Sequence, residues 1–223
     1  MYSNFGSVGG GSYNTVYGYA GNVGGGQYNK VYGALGSVGA GYYNTAYNYA
    51  SSIAGGSYNT VYDSYGSIGG GTYNKAYTYG STVAGGAFNT VDGYSGTVGG
   101  GYHNTAVGYV ATIAGGYYNT VDTYAGSVGG GFSNVVLGYA STIAGGYENT
   151  ADAKYGAIGG GWLHVMTAGY AGTIAGGLSN SAYSSHVSIG GGADNVIYAG
   201  WGTIGGGWDN QVSGLFSVVG GGY

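Results

Sequence analysis

The side chains able to carry acid–base, nucleophilic or metal chemistry are few and scattered along this 223-residue chain. Its three histidines, His103, His164 and His186, share no common spacing, and there is no cysteine. A tetrahedral metal site needs several such ligands converging. The seven acidic residues stand singly, whereas glycoside cleavage needs a carboxyl pair across the scissile bond. Gly clusters such as Gly9-Gly10-Gly11 look like phosphate-cradling loops, but no Lys-Ser or Lys-Thr follows at P-loop spacing. The Asp that should follow the Gly pair of a calcium-binding nonapeptide solenoid is also missing. The expectation is that the chain is not an enzyme, with no catalytic residue, no metal and no cofactor.

What the sequence has in abundance is repetition. An apolar residue precedes each Gly cluster: Val8, Val23, Val38, Ile53, Ile68, Val83, Val98, Ile113, Val128, Ile143, Ile158, Ile174, Ile189, Ile204 and Val219. Thirteen of the fourteen intervals share one fifteen-residue length, and the interval from Ile158 to Ile174 is one residue longer. Six residues after each mark stands Asn14, Asn29, Asn44, Asn59, Asn74, Asn89, Asn104, Asn119, Asn134, Asn149, then His164, Asn180, Asn195 and Asn210. Two positions further on stands Val, Ala, Ile or Met. A fixed period of this kind is the signature of a solenoid whose turns bury apolar residues only by stacking.

Local pattern sets the elements. Tyr13-Asn14-Thr15-Val16-Tyr17 is too short for a helix and rich in strand formers. Alternation sends Asn14 and Val16 inward and Tyr13, Thr15 and Tyr17 outward. Ser7-Val8 reads as a second strand, with Val8 inward. The last Gly of every cluster is invariant across the repeats, which calls for a left-handed backbone or an approach with no room for Cβ. The prediction is an all-β fold: a parallel β-solenoid, or β-roll, of fifteen-residue turns, with two short strands and two bends of chain per repeat. Stacked at strand spacing, about 14 turns make a rod of roughly 65–70 Å. The whole chain, 1–223, reads as one repeat domain. The extra residue near Ala168-Gly169 should make a local bulge. A doubled superperiod exists, since Ala54, Ala84, Ala114 and Ala144 alternate with Gly. A turn of that doubled length would stack Asp92, Asp122 and Asp152 directly, and like charges opposite one another destabilise a sheet.

Composition closes off other classes. Only ten residues are charged, for a net charge of −4, and none is Arg, so a nucleic-acid-binding patch is not expected. No apolar run approaches the roughly 20 residues of a membrane span. Glycine is abundant, at 57 residues, but not every third, and there is no proline, so collagen is excluded.

The outward positions form files. Tyr13, Tyr28, Tyr43, Tyr58, Tyr73, Phe88, His103 and Tyr118 share one position; Tyr17, Tyr32, Tyr47, Tyr62 and Tyr77 a second; Tyr19, Tyr49, Tyr79, Tyr94, Tyr109, Tyr124 and Tyr139 a third. Stacked rings stabilise neighbouring turns and make a long apolar stripe of the kind that marks an interaction surface. A hydroxyl file runs through Ser67, Thr82, Thr97, Thr112, Ser127, Thr142, Thr173, Ser188 and Thr203. The Asn file reads as a structural ladder, and no Asn lies in a glycosylation sequon.

Units such as Ser141-Thr142-Ile143-Ala144-Gly145-Gly146-Tyr147-Glu148-Asn149-Thr150-Ala151 resemble the repeats of trimeric autotransporter adhesin heads and related bacterial and phage fibre proteins. That resemblance implies a β-roll displayed on a cell or virion surface. The half-repeat Tyr13-Asn14-Thr15-Val16-Tyr17-Gly18 is similar to the heptads of grass ice-binding proteins, another β-roll. Two departures stand out: a stalk or anchor is not seen, and the tyrosine content exceeds that of either family.

The leading functional expectation is a structural, self-assembling subunit of an extracellular or cell-surface fibre, with adhesion as an added role. Its partner is itself, through the Tyr faces or end to end, since the chain opens at Met1-Tyr2-Ser3 without a polar cap. The alternatives are an ice-binding protein using the Ser/Thr face and a glycan-binding adhesin rod. Lys30 and Lys75 interrupt the Thr15, Thr45, Thr60 file and disfavour that face for ice.

Overall fold

The computed structural model describes residues 4–167 and 169–223; the opening Met1-Tyr2-Ser3 and Ala168, near which the sequence places the extra residue and its bulge, lie outside them. Two compact units, Met1–Val110 and Ala111–Tyr223, share one construction. Each described strand is two residues long. In the first unit they run from β1 (Ser7–Val8) and β2 (Thr15–Val16) to β13 (Thr97–Val98) and β14 (Thr105–Ala106). In the second they run from β15 (Thr112–Ile113) and β16 (Thr120–Val121) to β29 (Val218–Val219). Within each unit the odd-numbered strands form one sheet and the even-numbered strands another. Pairing is parallel and joins each residue to its equivalent one repeat on, as in Thr82↔Thr97 with Val83↔Val98, and Lys75↔Thr90 with Ala76↔Val91. The fold is therefore an all-β parallel β-solenoid in which each fifteen-residue repeat is one turn, and the turn of doubled length is excluded.

The register changes where the longer interval falls. Ala151 pairs with Met166 at the ordinary repeat spacing, but Lys154 pairs with Tyr170, one residue beyond it. The extra residue is thus absorbed between Met166 and Tyr170, outside both strands.

The cross-section differs from the expected two strands and two bends. The predicted strand over Tyr13–Tyr17 shrinks to Thr15–Val16, because Tyr13 adopts a left-handed backbone with φ 57°. Every equivalent residue does likewise, from Tyr28 to Asp209. A second left-handed corner lies at Ala20, Leu35, Ala50, Tyr65 and their equivalents, and the last Gly of each cluster makes a third. A single-residue parallel bridge (Ser12↔Gln27↔Tyr42 and onward) supplies a third face. Three corners are needed because two-residue strands cannot close a loop of this length with only two bends. Left-handed backbone costs a side-chain-bearing residue about 1–2 kcal/mol. It is held in place by donation to the preceding turn, as from Tyr58 N–H to Tyr42 O at 2.9 Å and Leu35 N–H to Tyr19 O at 2.9 Å. Tyr13 therefore faces outward because of the corner, not because of strand alternation.

The core is two facing files. Val23, Val38, Ile53, Ile68, Val83 and Val98 oppose Val16, Val31, Ala46, Val61, Ala76 and Val91 in the first unit, all essentially inaccessible. The second unit repeats the scheme with Ile113 to Ile204 against Val121 to Val212. A third inward position, at Gly21 and Gly36, is filled by buried Ser51 and Ser81, whose hydroxyls donate to Asn48 O and Thr78 O at 2.6 Å. Sequence pattern alone leaves that position unassigned, since Gly, Ser and Ala alternate there.

Candidate interaction surface

Beneath the surface lies the Asn ladder, which holds one corner of every turn. Asn29 accepts the backbone N–H of Asn44 on its Oδ1 at 3.0 Å and donates from Nδ2 to Gly25 O at 2.9 Å and Gly41 O at 2.8 Å. Asn59, Asn74, Asn89, Asn134 and Asn149 repeat this pattern, and Asn104 and Asn119 also donate to the Gly four residues back. Asn14 at the first turn is less buried but bonds alike. The side chain thus satisfies the next Asn N–H and the carbonyl four residues back, each worth about 1–3 kcal/mol if orphaned. It also adds a second donor to a Gly carbonyl that already accepts a backbone N–H, as Gly41 O does from Gln27. His164 takes the Asn place once. Its Nδ1 accepts the N–H of Asn180 at 3.1 Å, while Nε2 has no hydrogen-bond partner. Burial holds its imidazole below the usual histidine range, partly offset by the backbone around Asn180, Gly177 and Gly160.

The left-handed corner turns the residue before each Asn outward, and the residue after it is the outward member of the strand. In the first unit, rings of Tyr13, Tyr28, Tyr43, Tyr58 and Tyr73 stack at centroid distances of 4.6 to 5.3 Å with planes within 11°. Phe88 and His103 extend the file at 5.0 and 4.9 Å. Tyr17, Tyr32, Tyr47, Tyr62 and Tyr77 form a parallel file at 4.5 to 5.4 Å. Between the two runs the strand file Thr15, Lys30, Thr45, Thr60, Lys75, Thr90 and Thr105. The result is two aromatic ridges flanking a floor of hydroxyls and two ammonium groups. One stretch of this groove is a depression lined by Tyr73, Lys75, Phe88, Thr90, His103 and Thr105. Lys75 Nζ sits 6.0 Å from the centre of the Tyr77 ring, within reach of a cation–π contact. Loss of water among the packed rings, with the nearby Tyr42 phenol, raises the Tyr43 and Tyr58 hydroxyls above the ordinary tyrosine range.

The second unit changes this surface. The Tyr13-type position opens with Tyr118 and then holds Ser133, Glu148, Leu163, Ser179, Asp194 and Asp209. The Tyr17-type position runs through Asp122, Leu137, Asp152 and Thr167 before Tyr183 and Tyr198, which stack at 5.5 Å. Its other rings sit elsewhere. Phe132 stacks on Tyr147 at 5.0 Å along the bridge column, and His186, Trp201 and Phe216 stack at the second left-handed corner. These two files escape a reading of the sequence because their members are chemically mixed, and only the corner geometry aligns them. The bridge column also adds Tyr42, edge-on to Tyr43 at 4.5 Å.

The hydroxyl face lies on the other sheet. Thr82, Thr97, Thr112, Ser127, Thr142 and Thr173 occupy the outward strand position, with Ser127 Oγ donating to Thr142 at 3.1 Å. Ala157 stands between Thr142 and Thr173 in the register and interrupts the file. Among the described residues no group of three or more His, Asp or Glu side chains could hold a metal ion, and no helix is long and apolar enough to cross a membrane.

The class of protein is thus a parallel β-solenoid of tandem fifteen-residue turns. No family model matches the sequence, and no curated protein matches it.

Proposed function

We propose that the chain is a structural, self-associating subunit of an extracellular or cell-surface fibre, with a second copy of itself as principal partner. The observation that supports this best is the paired tyrosine ridges of the first unit. They offer rings with a fixed repeat of one turn on a surface almost free of charge. Large contiguous apolar patches of this kind are rare on proteins that stay monomeric. A second copy carries the same repeat, so ridges and floor match turn for turn along the whole contact. The likeness of the repeats to trimeric autotransporter heads and fibre proteins supports the same reading. Negative-stain microscopy at rising concentration, with sedimentation on the same samples, is the test: laterally associated assemblies are the expected result, and monodisperse monomers at high concentration overturn it.

The groove itself favours a second reading, a glycan-binding adhesin rod. Flat phenols beside hydroxyls and Lys75 suit the apolar face and hydroxyl edge of a sugar ring. Glycan-array binding abolished by Tyr73→Ala would establish it. The ice-binding alternative has less support, since the hydroxyl file mixes Ser with Thr and is broken at Ala157. Short rods that halt ice growth in a thermal-hysteresis measurement, with loss of the effect in Thr97, Thr112 and Thr142 variants, would install it in place of the fibre.

A further inference from the structure

We propose that the tyrosine files are sites of oxidative phenol coupling, in which a one-electron oxidant of the peroxide-plus-haem-peroxidase class links neighbouring turns of one chain through dityrosine. The geometry carries this. Tyr13, Tyr28, Tyr43, Tyr58 and Tyr73 stack face to face over five successive turns, as do Tyr17, Tyr32, Tyr47, Tyr62 and Tyr77. A further run joins Tyr79, Tyr94 and Tyr109 at 5.1 Å per step. These rings are accessible: Tyr13 is 72% exposed and Tyr17 43%. The chain has no cysteine to intercept the oxidant.

The chemistry balances as follows. Each of two phenols gives up one electron and one proton, producing a pair of phenoxyl radicals. The radicals join through ring carbons ortho to oxygen. The hydrogen on each joined carbon then moves to the oxygen, and both rings become phenols again. Two hydrogen atoms leave in all, and one peroxide takes them up to become two waters. Radical pairs normally find each other by diffusion. Here the sheet register holds the partners in contact before oxidation, and holding reactants so raises their effective concentration by orders of magnitude.

The links would be intrachain and would not require assembly, so this proposal stands or falls separately from the fibre. Each would tie turns already in register, and cross-links that constrain the unfolded chain stabilise the folded one.

The test is peroxidase with hydrogen peroxide on the folded full-length chain at low concentration, read by dityrosine fluorescence and by mass spectrometry of cross-linked peptides. The expected products join tyrosines of successive turns in one file, Tyr13 to Tyr28 or Tyr62 to Tyr77 for example. Their yield should be unchanged by dilution and lost when the chain is first unfolded in denaturant. A variant carrying Tyr28→Phe, Tyr42→Phe and Tyr58→Phe leaves Tyr13, Tyr43 and Tyr73 two turns apart, about 10 Å. It should lose the links of that file while keeping those from Tyr17 to Tyr77. Circular dichroism of the variant checks that the fold persists. No dityrosine, links with no preference for successive turns, links only between chains, or equal yield from the unfolded chain would each overturn the proposal.

Discussion

His164 occupies the one place in the ladder where an imidazole replaces an amide, and its protonation state is set by what surrounds it. Nδ1 accepts the Asn180 N–H, so a proton there would face another donor. Its ladder neighbours are Asn149 and Asn180, the apolar residues of its turns are Ile158, Met166 and Ile174, and the nearby charged groups Glu148, Asp152 and Lys154 are all exposed. No buried carboxylate stands ready to compensate an imidazolium. The folded pKa lies below the unfolded value of 6.5, so the unfolded chain binds the extra proton. Stability should be full above that pH and fall as pH drops below it, by at most about 1.4 kcal/mol per unit. His164→Asn should flatten this slope in denaturant titrations across pH. At neutral pH the variant should gain about 1 kcal/mol by donating to Gly160 and Gly177 carbonyls as other Asn do.

Gly86 and its neighbour Gly85 make a second residue-scale contrast. Gly86 has φ 83°, and a β-carbon there would overlap the Gly101 carbonyl of the next turn. Gly85 has nothing within 4 Å of the corresponding position. Gly86→Ala should cost at least about 2 kcal/mol, left-handed strain alone accounting for about 1–2. Gly85→Ala should stay within about 0.5 kcal/mol. Equal midpoints in urea for the two variants would contradict this account.

At the scale of the element, two-residue strands make few hydrogen bonds each, so a turn depends on its side-chain stitching. Asn74→Ala removes the acceptor of Asn89 N–H at 3.0 Å and the donor to Gly70 O at 2.9 Å. Gly86 O keeps the N–H of Thr72. Two backbone groups are thus orphaned, at a cost of about 2–6 kcal/mol. Thr60→Ala, on the outer face of β8 (Thr60–Val61), should change stability by about 0.5 kcal/mol or less. Hydrogen exchange should also accelerate first at the corner around Asn89 in the Asn74 variant, since solenoid turns interact only with their neighbours.

Across the whole molecule the two units share one backbone plan and differ in what they show to solvent. The first presents the continuous Tyr ridges; the second interrupts them with acids, Leu and Ser and keeps Tyr118 and the stacked pair Tyr183 and Tyr198. With ten charged residues in 223, association through the ridges should be driven by apolar burial and be insensitive to salt. Tyr43→Lys with Tyr47→Lys places two cations on the two ridges of one turn. In sedimentation the double variant should remain monomeric at concentrations where the parent associates, with an unchanged circular dichroism spectrum. An association that survives these changes would point away from the ridges.

The period, the inward Val and Ile files, the Asn ladder and the Gly corner were all legible in the sequence, because each is set by a residue type that recurs at one spacing. Alternation placed Val16 and Asn14 inside from five residues. The single longer interval located the inserted residue near Ala168-Gly169, and the strand register narrowed it to between Met166 and Tyr170. Only the tertiary structure decided the three-cornered turn. Left-handed backbone at Tyr28, Leu35 or Val110 opposes the intrinsic preference of those residues, and it is held by hydrogen bonds to the preceding turn that no local window contains. Those corners in turn determine which rings meet: Tyr42 against Tyr43, Phe132 on Tyr147, and Trp201 between His186 and Phe216. Residue type told that the chain is rich in rings, while the register between turns decided which of them touch.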